Sequence, residues 1–130
     1  MLTQDEISKI KAFVLDRNAL VAIYVFGSVA TGRDRPRSDI DLAVMVRGSL
    51  SGMERVAMET ALSNLLHRDV DLVVFSQATP LLQHQILKYG RLIHEVDTRE
   101  RIRQEVLARS HYLDSAFLYK KLGKGKKHGG

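Results

Sequence analysis

The chain has 130 residues, 45% hydrophobic and 27% charged, with no Trp and no Cys; this suits a single globular core and excludes a disulfide framework or thiolate chemistry. No apolar run approaches the roughly 20 residues that span a bilayer, and the N-terminal MLTQDEISKI lacks the basic start and apolar centre of a secretory signal, so a cytoplasmic protein is expected. The formal charge of +5 resides in the C-terminal KKLGKGKKHGG, which has five Lys and no acid, while the other 119 residues hold 15 basic and 15 acidic side chains.

Residues 4–16 carry Ile7, Ile10, Phe13 and Val14 at helical spacing behind Thr3, with Glu6 placed to close a capping box. Leu20 to Phe26 is a β-branched and aromatic run that stops at Gly27, as a buried strand does before a turn. Ser28 to Gly32 can open a helical turn, and the segment RDRPR is a loop because Pro36 disfavours helix in the residue before it. Asp39 to Val46 reads as a second strand and Gly48 to Gly52 as a turn. Met53 to Leu66 reads as a helix with Val56, Met58, Leu62, Leu65 and Leu66 on a broad stripe, and Asp69 to Phe75 as a third strand. Pro80 opens a helix with Leu81, Leu82, Gln85, Ile86 and Tyr89 at helical spacing, and Gly90 closes it. A short strand over Leu92 to His94 and a long charged helix from about Asp97 to Leu118 complete the order α, β, turn, β, α, β, α, β, α. Whether the first two strands run parallel is left open. Beyond that helix, residues 120–130 are too poor in apolar groups to offset their ordering entropy, which predicts a domain over 1–119 and a flexible Lys/Gly-rich tail over 120–130. The neutral body offers no dedicated nucleic-acid site.

Alternation along a strand puts Asp39 and Asp41 on one face and Ile40, Leu42 and Val44 on the other. In DVDLVVF the same alternation groups Asp69 with Asp71, so a neighbouring third strand can bring a third carboxylate beside the pair. Like charges at that range raise one another's pKa unless a cation intervenes, and an oxygen-only set with no His or Cys suits Mg²⁺, which takes part of its shell from water and substrate phosphate. Upstream, Gly27-Ser28 offers a close backbone approach, a hydroxyl donor and N–H groups for a phosphate.

Gly27-Ser28, ten residues, then Asp39-x-Asp41 at the head of an apolar strand resembles the GS-x10-DxD signature of the polymerase β type nucleotidyltransferases, and most of all the minimal nucleotidyltransferases (MNT) that act as antitoxins to HEPN toxins. The resemblance runs over about residues 5–115, through FGSVATG, SDIDLAV, VDLVVF and TPLLQHQILKYGRLIHE. It implies an α/β (α+β) nucleotidyltransferase fold, a small mixed sheet flanked by helices with a long C-terminal helix. It further implies ATP as substrate, two Mg²⁺ ions, and transfer of AMP to a hydroxyl, a tyrosine being favoured, of a cognate HEPN ribonuclease. By position, Asp39, Asp41 and Asp71 would be the metal ligands and catalytic carboxylates, with Asp71 helping to deprotonate the acceptor. Gly27, Ser28, Arg37 and Ser38 would hold the nucleotide. Thr31 departs from the pattern, since many relatives carry a basic residue there, so either Arg33 or Arg37 would meet the triphosphate.

Two other readings compete. A small-molecule nucleotidyltransferase of the aminoglycoside-modifying kind would need an extra domain to grip its acceptor, whereas a protein acceptor brings its own surface. A catalytically idle antitoxin acting by contact alone would not require the carboxylate set. His67-Arg68-Asp69 has the order of a kinase catalytic loop, but Val74 stands where that motif needs Asn. His84, His94 and His111 have no ligand spacing, and Arg99, Arg101, Arg103 and Arg109 with Glu100, Glu105 and Asp114 read as an ion-paired helix face.

Overall fold

The structure, a computed structural model, describes residues 2–30, 32 and 39–127. Its elements follow the expected order: α1 (Gln4–Leu15), β1 (Leu20–Phe26), α2 (Gly27–Ala30), β2 (Ile40–Val46), α3 (Gly52–Leu66), β3 (Val70–Val74), a 3-10 turn (Phe75–Gln77), α4 (Pro80–Tyr89), β4 (Arg91–Glu95) and α5 (Thr98–Lys127). The four strands form one mixed sheet in the order β3-β2-β1-β4. β1 runs antiparallel to both β2 and β4, and β2 runs parallel to β3. That answers the question of direction left open by the sequence: β2 is an antiparallel neighbour of β1, and the β2–β3 connection, through α3, is a parallel crossover.

β1 is apolar throughout because both faces of the sheet are covered. On one face Ile23, Val25, Ile40, Leu42 and Val44 pack against Ile10, Phe13 and Val14 of α1 and Leu62 and Leu66 of α3. On the other, Val21, Tyr24, Ala43 and Met45 meet Phe75, Ile86 of α4 and Ala108 of α5. The helix starts are set by side chains: Thr3 with Glu6 and Ser51 with Glu54 form complete capping boxes, and the Thr79 hydroxyl accepts from Leu82 N ahead of Pro80.

β3 lies at the edge of the sheet, where unpaired backbone groups invite association with other chains. α3 covers them with side chains. Val70 N–H donates to Ser63 Oγ at 3.0 Å, Leu72 N–H donates to Glu59 Oε2 at 2.8 Å, and the Leu72 carbonyl accepts from Arg55 at 3.2 Å. α5 is tied to the sheet by a polar network in which the Tyr24 hydroxyl donates to Glu105 while Arg101 joins Glu105 and Glu95. Burial first, then Glu105, raises the Tyr24 phenol well above its ordinary pKa, against the opposing pull of Arg101.

Several local expectations differ from what forms. Val56, Leu81 and Tyr89, read as stripe positions, are exposed, while Gln83 and Gln104 are buried. Both glutamines are held by backbone acceptors: Gln83 Nε2 donates to the Phe75 carbonyl and Gln104 Nε2 to the Val46 carbonyl. β3 ends at Val74 because Phe75 begins the 3-10 turn and sinks its ring into the core. α5 continues through Lys127. The His67-Arg68-Asp69 run is a helix exit, with His67 in the left-handed conformation as the C-cap of α3.

Candidate active site

The carboxylates gather where β1 ends and where β2 and β3 begin. Asp41 is opposite Phe26 in the β1–β2 ladder and opposite Asp71 in the β2–β3 ladder. Register partners share a face, so Asp41 and Asp71 project together, on the side that Ala43 and Met45 occupy further along β2. Asp39 stands one residue before the strand on the same alternation and is exposed; Asp71 is also exposed and Asp41 half-buried. Burial above all, then the charges of Asp71 and Asp39, push the Asp41 carboxyl above its ordinary pKa. That is the direction expected where negative charge has collected without compensation.

Gly27 follows the last residue of β1 with a φ of +71°, and a Cβ built on it would fall 2.2 Å from Asp41 Oδ2. Only glycine allows both the left-handed backbone and the close approach of the Asp41 carboxylate. The glycine and the strand carboxylate that the spacing relates are thus packed directly against each other. Ser28 is exposed in the first turn of α2. Arg37 and Ser38, together with Arg33 and Thr31, lie outside the described residues.

Beside the carboxylates, on the β3 side, is a cleft of about 400 Å³ lined by Asp39, Asp69 and Asp71 and by Glu59, Thr60 and Ser63 of α3. No described residue lining it is basic. Asp69 therefore shares the cleft with Asp71, but Asp71 is the one in register with Asp41, while the Asp69 carbonyl accepts Ile40 N–H and starts the parallel ladder. Glu59 was not singled out from the sequence. It lies on a helix with no spacing to either motif, and only the fold places it between the cleft and the edge of β3. A hard divalent cation suits this oxygen-only donor set, although among the described residues no three carboxylate or imidazole groups converge into a ready-made cage.

Of the histidines, His84 serves packing. His84 stacks on Tyr112 with ring centroids 3.8 Å apart, joining α4 to α5. Arg103 pairs with Glu100 and Arg109 with Glu105 along α5, as the ion-paired reading of that helix expects. Among the described residues no helix is long and apolar enough to cross a membrane.

Residues 8–99 match the family model described as polymerase beta, nucleotidyltransferase. The chain belongs to this nucleotidyltransferase family. Among curated proteins it is 36% identical over 72 residues to the protein adenylyltransferase MntA of Shewanella oneidensis, a match covering 55% of this chain and 52% of that protein. The chain thus matches about half the length of that relative. A putative protein adenylyltransferase of Methanocaldococcus jannaschii is 28% identical over 74 residues, covering 57% of this chain and 80% of that one. Among solved structures, the crystal structure of a toxin–antitoxin with AMP-PNP is 26% identical with a TM-score of 0.80, covering 93% of this chain and 98% of that one. In this nucleotidyltransferase the site residues fall within the matched segment, and the long C-terminal helix extends beyond it.

Proposed function

We propose that this chain is a Mg²⁺-dependent protein adenylyltransferase that moves AMP from ATP onto a hydroxyl of a cognate HEPN ribonuclease toxin, a tyrosine hydroxyl being favoured, and so neutralises it. The observation that carries the reading is the placement of Asp41 in register with Asp71 on one side and packed against Gly27 on the other. The similarity to MntA, itself named a protein adenylyltransferase, favours a protein acceptor over a small molecule, and the intact carboxylate set favours catalysis over neutralisation by contact alone.

Asp39, Asp41 and Asp71 would hold two Mg²⁺ ions, which when bound supply charge neutralisation for the triphosphate and for the entering and leaving oxygens. The bare Cα of Gly27 lets the Asp41 carboxylate sit directly against the end of β1, and the Ser28 hydroxyl donates to a phosphate oxygen. Arg37 and Ser38, immediately before Asp39 in the chain, complete the nucleotide set in this proposal. Asp71, exposed at the cleft, accepts the proton of the acceptor hydroxyl as its oxygen attacks the α-phosphorus. The bond from that phosphorus to the bridging oxygen breaks, pyrophosphate leaves, and AMP remains on the acceptor. Such chemistry depends mostly on positioning and charge, which a site built on strand ends provides. The working domain in this reading is 1–119, with 120–130 outside it.

The test is incubation of the chain and its HEPN partner with ATP labelled at the α- or the γ-phosphorus. Label on the partner from α-labelled ATP alone is the expected result. Label from γ-labelled ATP alone would indicate a kinase, and no transfer from either would leave neutralisation by contact.

A further inference from the structure

α5 has two apolar sides, and the fold uses one. Its inner side, with Gln104 and Ala108 buried, packs toward the sheet and α4. Ile102, Val106, Leu113 and Phe117 are 47%, 56%, 67% and 62% exposed. At 100° per residue they fall within an arc of about 60° and extend over about 22 Å of helix. Their spacing of four, seven and four residues is that of a seam between helices. Between Leu113 and Leu118 no residue is buried. Leu118 and Leu122, also exposed, stand more than about 100° round the helix from this stripe and continue the inner side.

We propose that this stripe is the seam on which a helix of the acceptor protein docks, with acidic residues along its edge. The identity of the acceptor rests on the function proposed above. A stripe this narrow is well short of the face of about 100° by which a surface helix packs on a core, and it has the width of a helix–helix seam. A second copy of this chain is disfavoured by charge. Between Val106 and Leu113 along the helix, Arg109 stands about 20° beyond one edge of the stripe, with Arg99 at its other edge and Arg103 about 40° past that edge. The stripe is centred near Arg109, so parallel or antiparallel self-pairing brings Arg109 against Arg109. Arg103 and Arg109 pair with Glu100 and Glu105 of their own helix, yet their side chains remain 63% and 57% exposed, leaving donors for a partner's carboxylates. A charge opposite a seam cation chooses the partner and its orientation.

The experiment measures binding of a cognate HEPN protein to wild type, to V106D/L113D, to Arg109→Glu and to Asp71→Asn, with thermal melting and ATP binding as controls on folding. The expected result is at least about 100-fold weaker binding for V106D/L113D and about tenfold weaker for Arg109→Glu, melting and ATP affinity unchanged, and full binding by Asp71→Asn. Binding of V106D/L113D within about threefold of wild type would overturn the seam. So would a wild-type dimer that this variant dissociates while still binding the HEPN protein. Stripe-dependent flotation with anionic vesicles, with HEPN binding unaltered, would equally overturn it. Binding that needs the stripe without AMP transfer would refute the proposed function and keep the seam. AMP transfer and binding both untouched by V106D/L113D would do the reverse, and a wild type that does not bind the HEPN protein would refute both.

Discussion

A Cβ on Gly27 would lie 2.2 Å from Oδ2 of Asp41. The end of β1 is therefore shaped around a carboxylate on its neighbouring strand, and that contact turns a spacing in the sequence into a site. The carboxylate can rotate away from a methyl group, while the backbone at a φ of +71° cannot relax as readily for an L side chain. Gly27→Ala should therefore cost about 1–2 kcal/mol of stability yet lower AMP transfer at least about 100-fold, because a misplacement of about 1 Å costs rate of that order. Thermal melting beside a transfer assay separates the two effects.

The electrostatic strain on Asp41 sets a pH signature. Its pKa is raised in the folded state, by burial first and then by Asp71 and Asp39, so between the ordinary carboxylate value and the raised one the folded chain binds more protons than the unfolded chain. Metal-free stability must then fall as pH rises through that window. Asp41→Asn should melt higher than wild type at neutral pH without metal, by a few degrees at most, since partial solvation holds the effect below about 1 kcal/mol. The gap should close below the ordinary carboxylate range. Melting curves across pH in a chelating buffer read this directly, and a gap that widens on acidification would contradict it.

Glu59 links stability to the site. Its carboxylate accepts Leu72 N–H and pairs with Arg55, next to Asp71 on the exposed edge of β3. Glu59→Ala should destabilise the fold by about 1–3 kcal/mol, since it strands a backbone donor and a cation, and it should promote self-association through the uncovered edge. Denaturant melts and light scattering measure both; unchanged values would mean water replaces the carboxylate without cost.

The Lys/Gly-rich end should be dispensable for chemistry. Deleting 120–130 removes the last turns of α5 described through Lys127 but none of the cleft residues. Transfer to saturating partner should stay within about twofold of wild type, because catalysis here depends on positioning within the cleft. A large loss would assign the basic end a part in binding the partner or the nucleotide.

Much of this was legible beforehand, for physical reasons particular to each element. The capping box at Thr3 and the bounds of β1 follow from local chemistry, and the common face of Asp39 and Asp41 follows from strand period alone. The order β3-β2-β1-β4 does not, because strand direction is decided by long-range packing. Val56, Leu81 and Tyr89 kept a helical spacing without reaching the core, since periodicity gives a helix its faces but not the height at which the sheet meets it. Gln83 and Gln104 were missed because a buried amide is recognisable only once the carbonyls of Phe75 and Val46 are in place to accept from it. Glu59 was missed because its role belongs to the edge of another element. Arg37 and Ser38, placed in the nucleotide site by resemblance, lie outside the described residues and remain part of the proposal.

The most direct test of catalysis as the antidote is intact-mass spectrometry of the HEPN partner after incubation with ATP and Mg²⁺, with wild type and with Asp71→Asn, beside growth rescue of cells that express the toxin. A tyrosine hydroxyl has an ordinary pKa of about 10 and needs a base or metal to react at neutral pH, so losing Asp71 should stop transfer while leaving the protein contact intact. The account predicts AMP additions and rescue with wild type, and neither with Asp71→Asn although that variant still binds. Full rescue by Asp71→Asn with no added mass would contradict it.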